Sequence, residues 1–265
     1  MIRTLVARNL RQHLPILGVL GLGLFLFEVA IVWVAARIDL GPQFRVFLQT
    51  LLPPGFVDVI FSQFGFGSFA GTVSFGYQHP MTLISGIAMI VVMATLPAYE
   101  RESGFLDLIL SRPLHRIRYM VASILGVLLT ALVVAVGALL GSAFGLSIVD
   151  IPETVVWAEY IPSAVGLFLL LAAVGCYTLL FATEAKRRGI ATAQAVGITL
   201  LFYWLDFMGD YWDLLEQARR LSIFSYFDPA AAARSGIPER DLLVLGLTIV
   251  LCTTGAILNF RRQDL

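Results

Sequence analysis

The sequence predicts an all-α polytopic membrane protein, built as a single transmembrane domain over residues 1–265. The first observation behind this prediction is composition: 58% of the 265 residues are hydrophobic and 14% are charged, and the mean hydropathy is +0.86. Soluble domains have about 45–50% apolar and about 25% charged residues. The second observation is the length of the apolar runs. The third is the distribution of basic residues between the segments that join them.

Six apolar runs are long enough, or nearly so, to cross a hydrocarbon core that takes about 20 helical residues. The predicted spans cover residues 14–36, 81–98, 119–146, 161–183, 190–208 and 242–260. Tyrosine and tryptophan gather near their predicted ends, as expected at the two membrane–water interfaces. The high hydropathy, the few charged residues and the net charge of zero together exclude a nucleic-acid-binding protein. The apolar runs make the lipid bilayer the first partner that the sequence implies.

The basic residues divide unequally between the connecting segments. Segments 1–13, 99–118, 184–189 and 261–265 contain 12 of the 18 lysines and arginines within 44 residues, whereas the other connections contain 6 within 90 residues. Cytoplasmic loops of membrane proteins are the ones enriched in Lys and Arg. We therefore expect the N-terminus, the C-terminus and the 99–118 loop to be cytoplasmic.

Three segments outside the predicted spans have a pattern of their own. Residues 1–13 place apolar side chains on one helical face, which predicts a short amphipathic helix on the inner membrane surface. Residues 56–76 are apolar but rich in glycine and contain Asp58 and Gln63, which predicts a re-entrant or interfacial segment outside the membrane. Residues 211–221 separate apolar from charged positions, which predicts a short helix at the outer surface.

The motifs of an enzyme with its own active site are absent from the sequence. A P-loop needs G-x-x-x-x-G-K-[S/T], and the single lysine, Lys186, follows an alanine. The three histidines are scattered without metal-ligand spacing, and no G-x-S-x-G nucleophile motif occurs. We therefore expect no catalytic residue, no cofactor site and no metal site in this chain.

Ionisable residues inside the predicted spans are few. Glu28 lies within the first span, and Asp206 lies near the end of the fifth. A charged group in hydrocarbon is costly, so each marks either an interior-facing polar group or a part of a substrate pathway. An ion-coupled secondary transporter commonly has more such groups together with an internal repeat. That class stays open as an alternative, as does a non-transporting membrane scaffold.

The third predicted span carries a stripe of small residues, Gly137, Gly141 and Gly145, at four-residue intervals. Glycines at this spacing open a groove that lets another helix approach closely. The approaching helix can belong to the same chain or to a second copy in a dimer. The sequence leaves both arrangements open.

The 99–118 loop predicts a compact amphipathic helix between the second and third spans. Phe105, Leu108 and Ile109 share one helical face, and Pro113 ends the helix. Acidic residues come first and basic residues last, which complements the helix dipole. Such an element at the membrane surface can dock in the groove of a cytoplasmic partner.

The same loop follows the pattern E-x-E-x-G-x-L and then L-L-S-x-P-x-x-R. The residues that carry the first part are Glu100, Glu102, Gly104 and Leu106, and those that carry the second part are Leu108, Ile109, Leu110, Ser111, Pro113 and Arg116. The segments 222–229 and 260–265 carry a similar ending. Together with the six-span layout, these features resemble the ABC-2 type permeases, which are membrane subunits of ATP-binding-cassette exporters. Phe105 departs from the threonine that is common at its position.

The resemblance implies that the loop is a coupling helix, seated in a cleft of a separate ABC ATPase (nucleotide-binding) subunit. The docking residues that it implies are Glu100, Glu102, Gly104, Phe105, Leu106, Leu110, Arg112, Pro113 and Arg116. It also implies a second permease copy or paralogue, with ATP and Mg²⁺ bound by the ATPase subunit. The expected function is then export across a prokaryotic cell membrane, driven by ATP hydrolysis on that subunit.

Overall fold

The computed structural model describes residues 2–37, 42–53, 55–58, 61, 68–106, 116–149, 155–209 and 212–262, and these form a helical bundle. The α-helices of this part of the chain are α1 (Ile2–Arg37), α2 (Pro42–Leu51), α3 (Phe69–Gln78), α4 (Pro80–Ala94), α5 (Leu96–Glu102), α6 (Arg116–Ile148), α7 (Ile161–Glu184), α8 (Arg188–Gly209), α9 (Asp213–Arg219), α10 (Pro229–Ser235) and α11 (Glu239–Arg262). Two short 3-10 helices occupy Trp157–Tyr160 and Ile223–Tyr226. The all-α fold class is confirmed for these residues.

Six helical stretches in the described residues are long and apolar enough to cross a membrane, which confirms the predicted number. They are His13–Arg37, Phe69–Ala94, Arg116–Ile148, Trp157–Glu184, Arg188–Gly209 and Glu239–Arg262. The predicted short helix within residues 211–221 is also present, as α9.

The second span begins earlier than the sequence predicts. α3 and α4 form one candidate span, Phe69–Ala94, so the assignment of 56–76 to a segment outside the membrane is wrong for residues 69–76. That assignment treated glycine as a helix breaker. Here Gly76 serves close packing, because a Cβ on it would lie only 2.7 Å from the carboxyl carbon of Glu28.

The junction between α3 and α4 keeps its hydrogen bonds within the span. Pro80 opens α4, where its missing N–H is not needed. The His79 ring accepts from the Met81 N–H at 3.1 Å, and the Thr82 hydroxyl donates to the Gly76 carbonyl at 2.8 Å. Satisfied backbone groups are what a segment in hydrocarbon requires.

The predicted amphipathic helix at the N-terminus is not a separate element. α1 runs without a break from Ile2 to Arg37 and contains Pro15 in its interior. A proline removes one backbone donor without necessarily ending a helix. Residues 2–12 therefore extend the first span beyond its candidate membrane segment, and they carry Arg8 to the loop after the second span.

α7 is the central helix of the bundle, and most of its residues are buried. It packs against α4, α6, α8 and α11, whereas α1 lies along α6. In the described part of the chain, six helix ends meet at one end of the bundle. They are the starts of α1, α6 and α8 and the ends of α5, α7 and α11. We call this the Glu100 end.

Candidate functional site

The loop predicted to dock a partner begins at the Glu100 end. After Glu102, Ser103 and Gly104 form a turn in which Gly104 has a φ of +71°, a left-handed conformation that favours glycine. Phe105 is then exposed, whereas Leu106 is buried in the core and anchors the chain. Three of the predicted docking residues lie outside the described part of the chain: Leu110, Arg112 and Pro113.

Glu100 lies on the inner face of α5 and is only 6% exposed. Arg8 forms an ion pair with it, and the Tyr119 hydroxyl donates a hydrogen bond to its other carboxylate oxygen at 2.5 Å. A buried carboxylate needs such partners because it has lost its water. Glu100 therefore joins the loop to α1 and to α6, and its carboxylate faces the bundle interior.

Arg101 joins the loop to α7. Its guanidinium donates to the backbone carbonyls of Thr183 at 3.0 Å and Ala185 at 2.8 Å. Carbonyls at a helix C-terminus have no partner within the helix, so the arginine supplies their missing donor. Burial of the side chain lowers the pKa of Arg101.

Arg188 joins the loop to α8. Its backbone N–H donates to the Glu102 carboxylate at 2.9 Å, at the positive end of the helix dipole. Its guanidinium donates to the Thr95 hydroxyl at 3.2 Å and to the Val92 carbonyl at 3.3 Å, and lies 5.3 Å from the centre of the Tyr99 ring. Glu102 remains exposed while it makes this contact.

Arg116 lies at the first turn of α6, where the described chain resumes after the loop. Its Nη1 lies 3.5 Å from the Arg261 carbonyl, at the long limit of a hydrogen bond. Beside it, the Tyr119 ring stacks on Phe260 at 5.3 Å between centres. These contacts bring the start of the third span next to the end of the last one.

The contacts at the Glu100 end make one rigid junction. The segment between the second and third spans is tied to four other helices through three consecutive residues and Arg188. Two of the predicted docking side chains remain exposed on it, Glu102 and Phe105. A junction of this kind suits a surface that receives a partner and transmits movement to the bundle.

Glu28 lies at the centre of the α1–α3–α6 contact and is fully buried. The Ser142 hydroxyl lies 3.4 Å from one carboxyl oxygen and 3.0 Å from the Tyr77 hydroxyl. The other carboxyl oxygen has no hydrogen-bond partner among the described residues. A buried acid without a cationic partner is an unusual group in a membrane span.

Asp206 occupies a different place. It accepts from the Arg219 guanidinium at 2.9 Å, so α8 and α9 are held together by an ion pair. It lines a small cavity with Tyr203 and Phe224. Asp206 of α8 pairs with Arg219 of α9, whereas Glu28 of α1 has Ser142 of α6 as its hydrogen-bond partner, so the two predicted acids contact different helices.

An apolar groove of about 530 Å³ lies between α4 and α8 on the side of the bundle. Leu83, Ile87 and Val91 form one wall, and Val196 and Leu200 form the other. This surface suits acyl chains or the apolar face of another subunit. It carries no group that the sequence predicts to be functional.

The sequence did not identify several residues that build the junction and the surroundings of Glu28. They are Arg8, Arg101, Tyr119, Arg188, Tyr77 and Ser142. The arginines entered only as counts of positive charge for topology. Arg8 and Glu100 are 92 residues apart in the chain, and no periodicity connects positions at that distance.

Comparison with known proteins gives one family. Residues 55–265 match the family described as ABC-2 family transporter protein. The match includes the junction from Glu100 to Leu106 and all spans after the first. No curated protein matches the chain at a significant level.

Proposed function

The chain belongs to the ABC-2 family of transporter proteins, and from this membership we propose that it is the permease subunit of an ATP-driven exporter. In this proposal a separate nucleotide-binding subunit hydrolyses ATP, and this chain moves the substrate across the membrane. ATP and its Mg²⁺ bind to that subunit, since the sequence here has no P-loop.

The single observation that carries the proposal is the rigid junction at the Glu100 end. A partner that pushes on the exposed part of the loop acts on α1, α6, α7 and α8 at once, because Glu100, Arg101 and Glu102 bind to them. Packed helices respond to such a push by shifting as bodies. ATP-driven movement of the partner therefore becomes movement of the spans.

The orientation and assembly belong to the same proposal. The excess of arginine in the connections at the Glu100 end supports a cytoplasmic position for that end. There the loop is within reach of a cytoplasmic ATPase. A second permease copy or paralogue completes the transporter in a prokaryotic cell membrane, and the substrate passes between the two.

A docking variant tests the proposal directly. We expect the tagged full chain, purified from native membranes in mild detergent, to retain an ATPase subunit and to show ATP hydrolysis. Phe105→Asp places a charge on the exposed apolar contact. It should reduce the retained ATPase about tenfold, the factor that corresponds to about 1.4 kcal/mol of docking free energy.

The matched control is Leu221→Asp, the same kind of change at an exposed apolar residue that lies next to α9, away from the junction. It should retain the ATPase at the parent level. Both variants should elute from size exclusion as the parent does. A parent chain that retains no ATPase, or equal losses in the two variants, contradicts the proposal.

One observation favours a second candidate function. The buried Glu28, without a cationic partner among the described residues, is the kind of group that ion-coupled transporters use. Dissipating the proton gradient at constant ATP distinguishes the two. An ATP-driven exporter keeps its activity when a protonophore is added, and a proton-coupled secondary transporter loses it.

A further inference from the structure

Two contacts of Arg8 at the junction are with the loop. Its guanidinium pairs with Glu100, and it lies 5.6 Å from the centre of the Phe105 ring. Glu100 comes before the Ser103–Gly104 turn, and Phe105 comes after it. Arg8 therefore bridges the turn at which the chain leaves α5.

The ion pair between Arg8 and Glu100 lies beside the Ser103–Gly104 turn and restrains the conformation of that turn. Glu100 is 6% exposed, so its carboxylate depends on Arg8 and on the Tyr119 hydroxyl to replace water. The side chain of Arg8 is 27% exposed, which leaves its outer side facing the surroundings beside Phe105. The start of α1 and the start of the loop thus form one continuous surface.

A neighbouring arginine, Arg11, shows that positive charge at the start of α1 does not by itself produce the contacts that Arg8 makes with Glu100 and Phe105. Arg11 lies one turn further along α1, is exposed, and has no ion pair among the residues that the structure describes. It adds the same charge to the same helix without an ion pair to the described residues of the loop. The contrast assigns the two arginines different roles.

We propose that Arg8 is a positioning residue for the docking of the ATPase subunit. By holding Glu100 and Phe105 across the Gly104 turn, it sets the direction in which the exposed Phe105 ring faces the partner. Residues 2–12 of α1 and residues 99–106 of the loop then form one docking body. The proposal rests on the proposed function, since it names a further part of the same docking surface.

The first measurement does not involve the partner. Hydrogen–deuterium exchange in the purified chain alone reports how firmly residues 103–106 are held. We expect Arg8→Ala to raise their exchange, Arg8→Lys to raise it less, and the matched control Arg11→Ala to leave it at the parent level. Unchanged exchange in Arg8→Ala overturns the proposal even if the chain proves not to bind an ATPase.

The second measurement is the amount of ATPase subunit retained by each variant during purification. Arg8→Ala should retain about tenfold less than the parent, since the loss of one partner strands a buried charge. Arg11→Ala should retain as much as the parent. Equal losses for the two variants would mean that charge alone is responsible, and they would overturn the positioning role.

A double variant guards against simple misfolding. Glu100→Gln removes the charge but keeps an acceptor for the Tyr119 hydroxyl, so Arg8→Ala/Glu100→Gln no longer buries an unpaired carboxylate. We expect the double variant to elute like the parent, to fold better than Arg8→Ala, and still to retain about tenfold less ATPase. A double variant that folds and docks like the parent refutes the positioning role.

Discussion

At the scale of single residues, two arginines each donate hydrogen bonds to two acceptors at once, a geometry that suits a guanidinium better than an ammonium group. Arg101 donates to two backbone carbonyls, and Arg188 donates to a hydroxyl and a carbonyl on α4 and its C-cap. The guanidinium has five donors in a fixed planar fork, whereas an ammonium group is a compact point charge. This gives a physical reason for arginine at these two positions in a chain that has a single lysine.

Arg101 allows a test at this scale. Arg101→Ala removes the hydrogen bonds that Arg101 donates to the Thr183 and Ala185 carbonyls, so we expect the free energy of unfolding to fall by about 1–2 kcal/mol. The free energy of unfolding of Arg101→Lys should fall less, because the ammonium group still offers N–H donors near these carbonyls. Thermal unfolding in detergent measures both, with the exposed Arg118→Ala as the control. Equal melting temperatures for Arg101→Ala and Arg118→Ala would show that the capping contacts do not stabilise the fold.

At the scale of helices, the glycine stripe of α6 packs within the chain. A Cβ on Gly137 would lie 3.0 Å from the Gly21 carbonyl oxygen, and a Cβ on Gly145 would lie 2.8 Å from Val32. The facing helix is α1 throughout, so the arrangement within one chain is confirmed and the alternative of a dimer seam at this stripe is wrong. Close approach of the two backbones explains why α1 packs extensively against α6.

The stripe predicts a contrast between two conservative substitutions. Gly141→Ala places a Cβ 2.7 Å from the Cβ of Glu28, so α1 and α6 must separate; we expect a loss of about 1–3 kcal/mol. Gly23→Ala meets nothing within 4 Å and should be neutral or slightly stabilising, because alanine favours helix by up to about 1 kcal/mol. The melting temperatures of the two variants measure the predicted difference in stability. A Gly141→Ala protein as stable as Gly23→Ala contradicts this packing.

Helix existence was predictable from the sequence, and helix boundaries were less so. Apolar length alone identified six spans because the requirement for about 20 residues is strict. The start of the second span at Phe69 was missed because its glycines suggest a weak helix in isolation, while their effect on packing depends on Glu28 across the interface. The continuity of α1 through Pro15 was missed for a similar reason, since tertiary packing supports a helix that propensity would interrupt.

At the scale of the whole molecule, the sequence predicted the location of the junction but not the contacts that hold it together. The motif around Glu100 drew attention to the right loop, and Phe105 and Glu102 are exposed on it. The role of Glu100 as a buried hub was not predictable, because its partner Arg8 comes from the far end of the chain. Because the chain crosses the bundle back and forth, segments that are distant in sequence meet at the same end. Only a structure shows which of the basic residues at that end pairs with Glu100.

The orientation of the molecule is the last prediction. Residues 99–118 and 184–189 are expected on the cytoplasmic side, and 209–240 and the part of 37–80 that precedes the second span on the outside, from the unequal distribution of basic residues. Single cysteines at Ser103 and Ser235 test this, because both residues are exposed and lie on opposite predicted sides. The background carries Cys176→Ala and Cys252→Ala, which removes both native thiols.

An impermeant thiol reagent added to intact cells should label Ser235→Cys and should label Ser103→Cys only after the membrane is opened. Comparable labelling of both in opened membranes serves as the control for accessibility. Labelling of Ser103→Cys from outside would show that the bundle has the opposite orientation in the membrane. The junction would then face away from the cytoplasm, where no ATPase could reach Phe105, so the orientation decides whether the coupling proposal is physically possible.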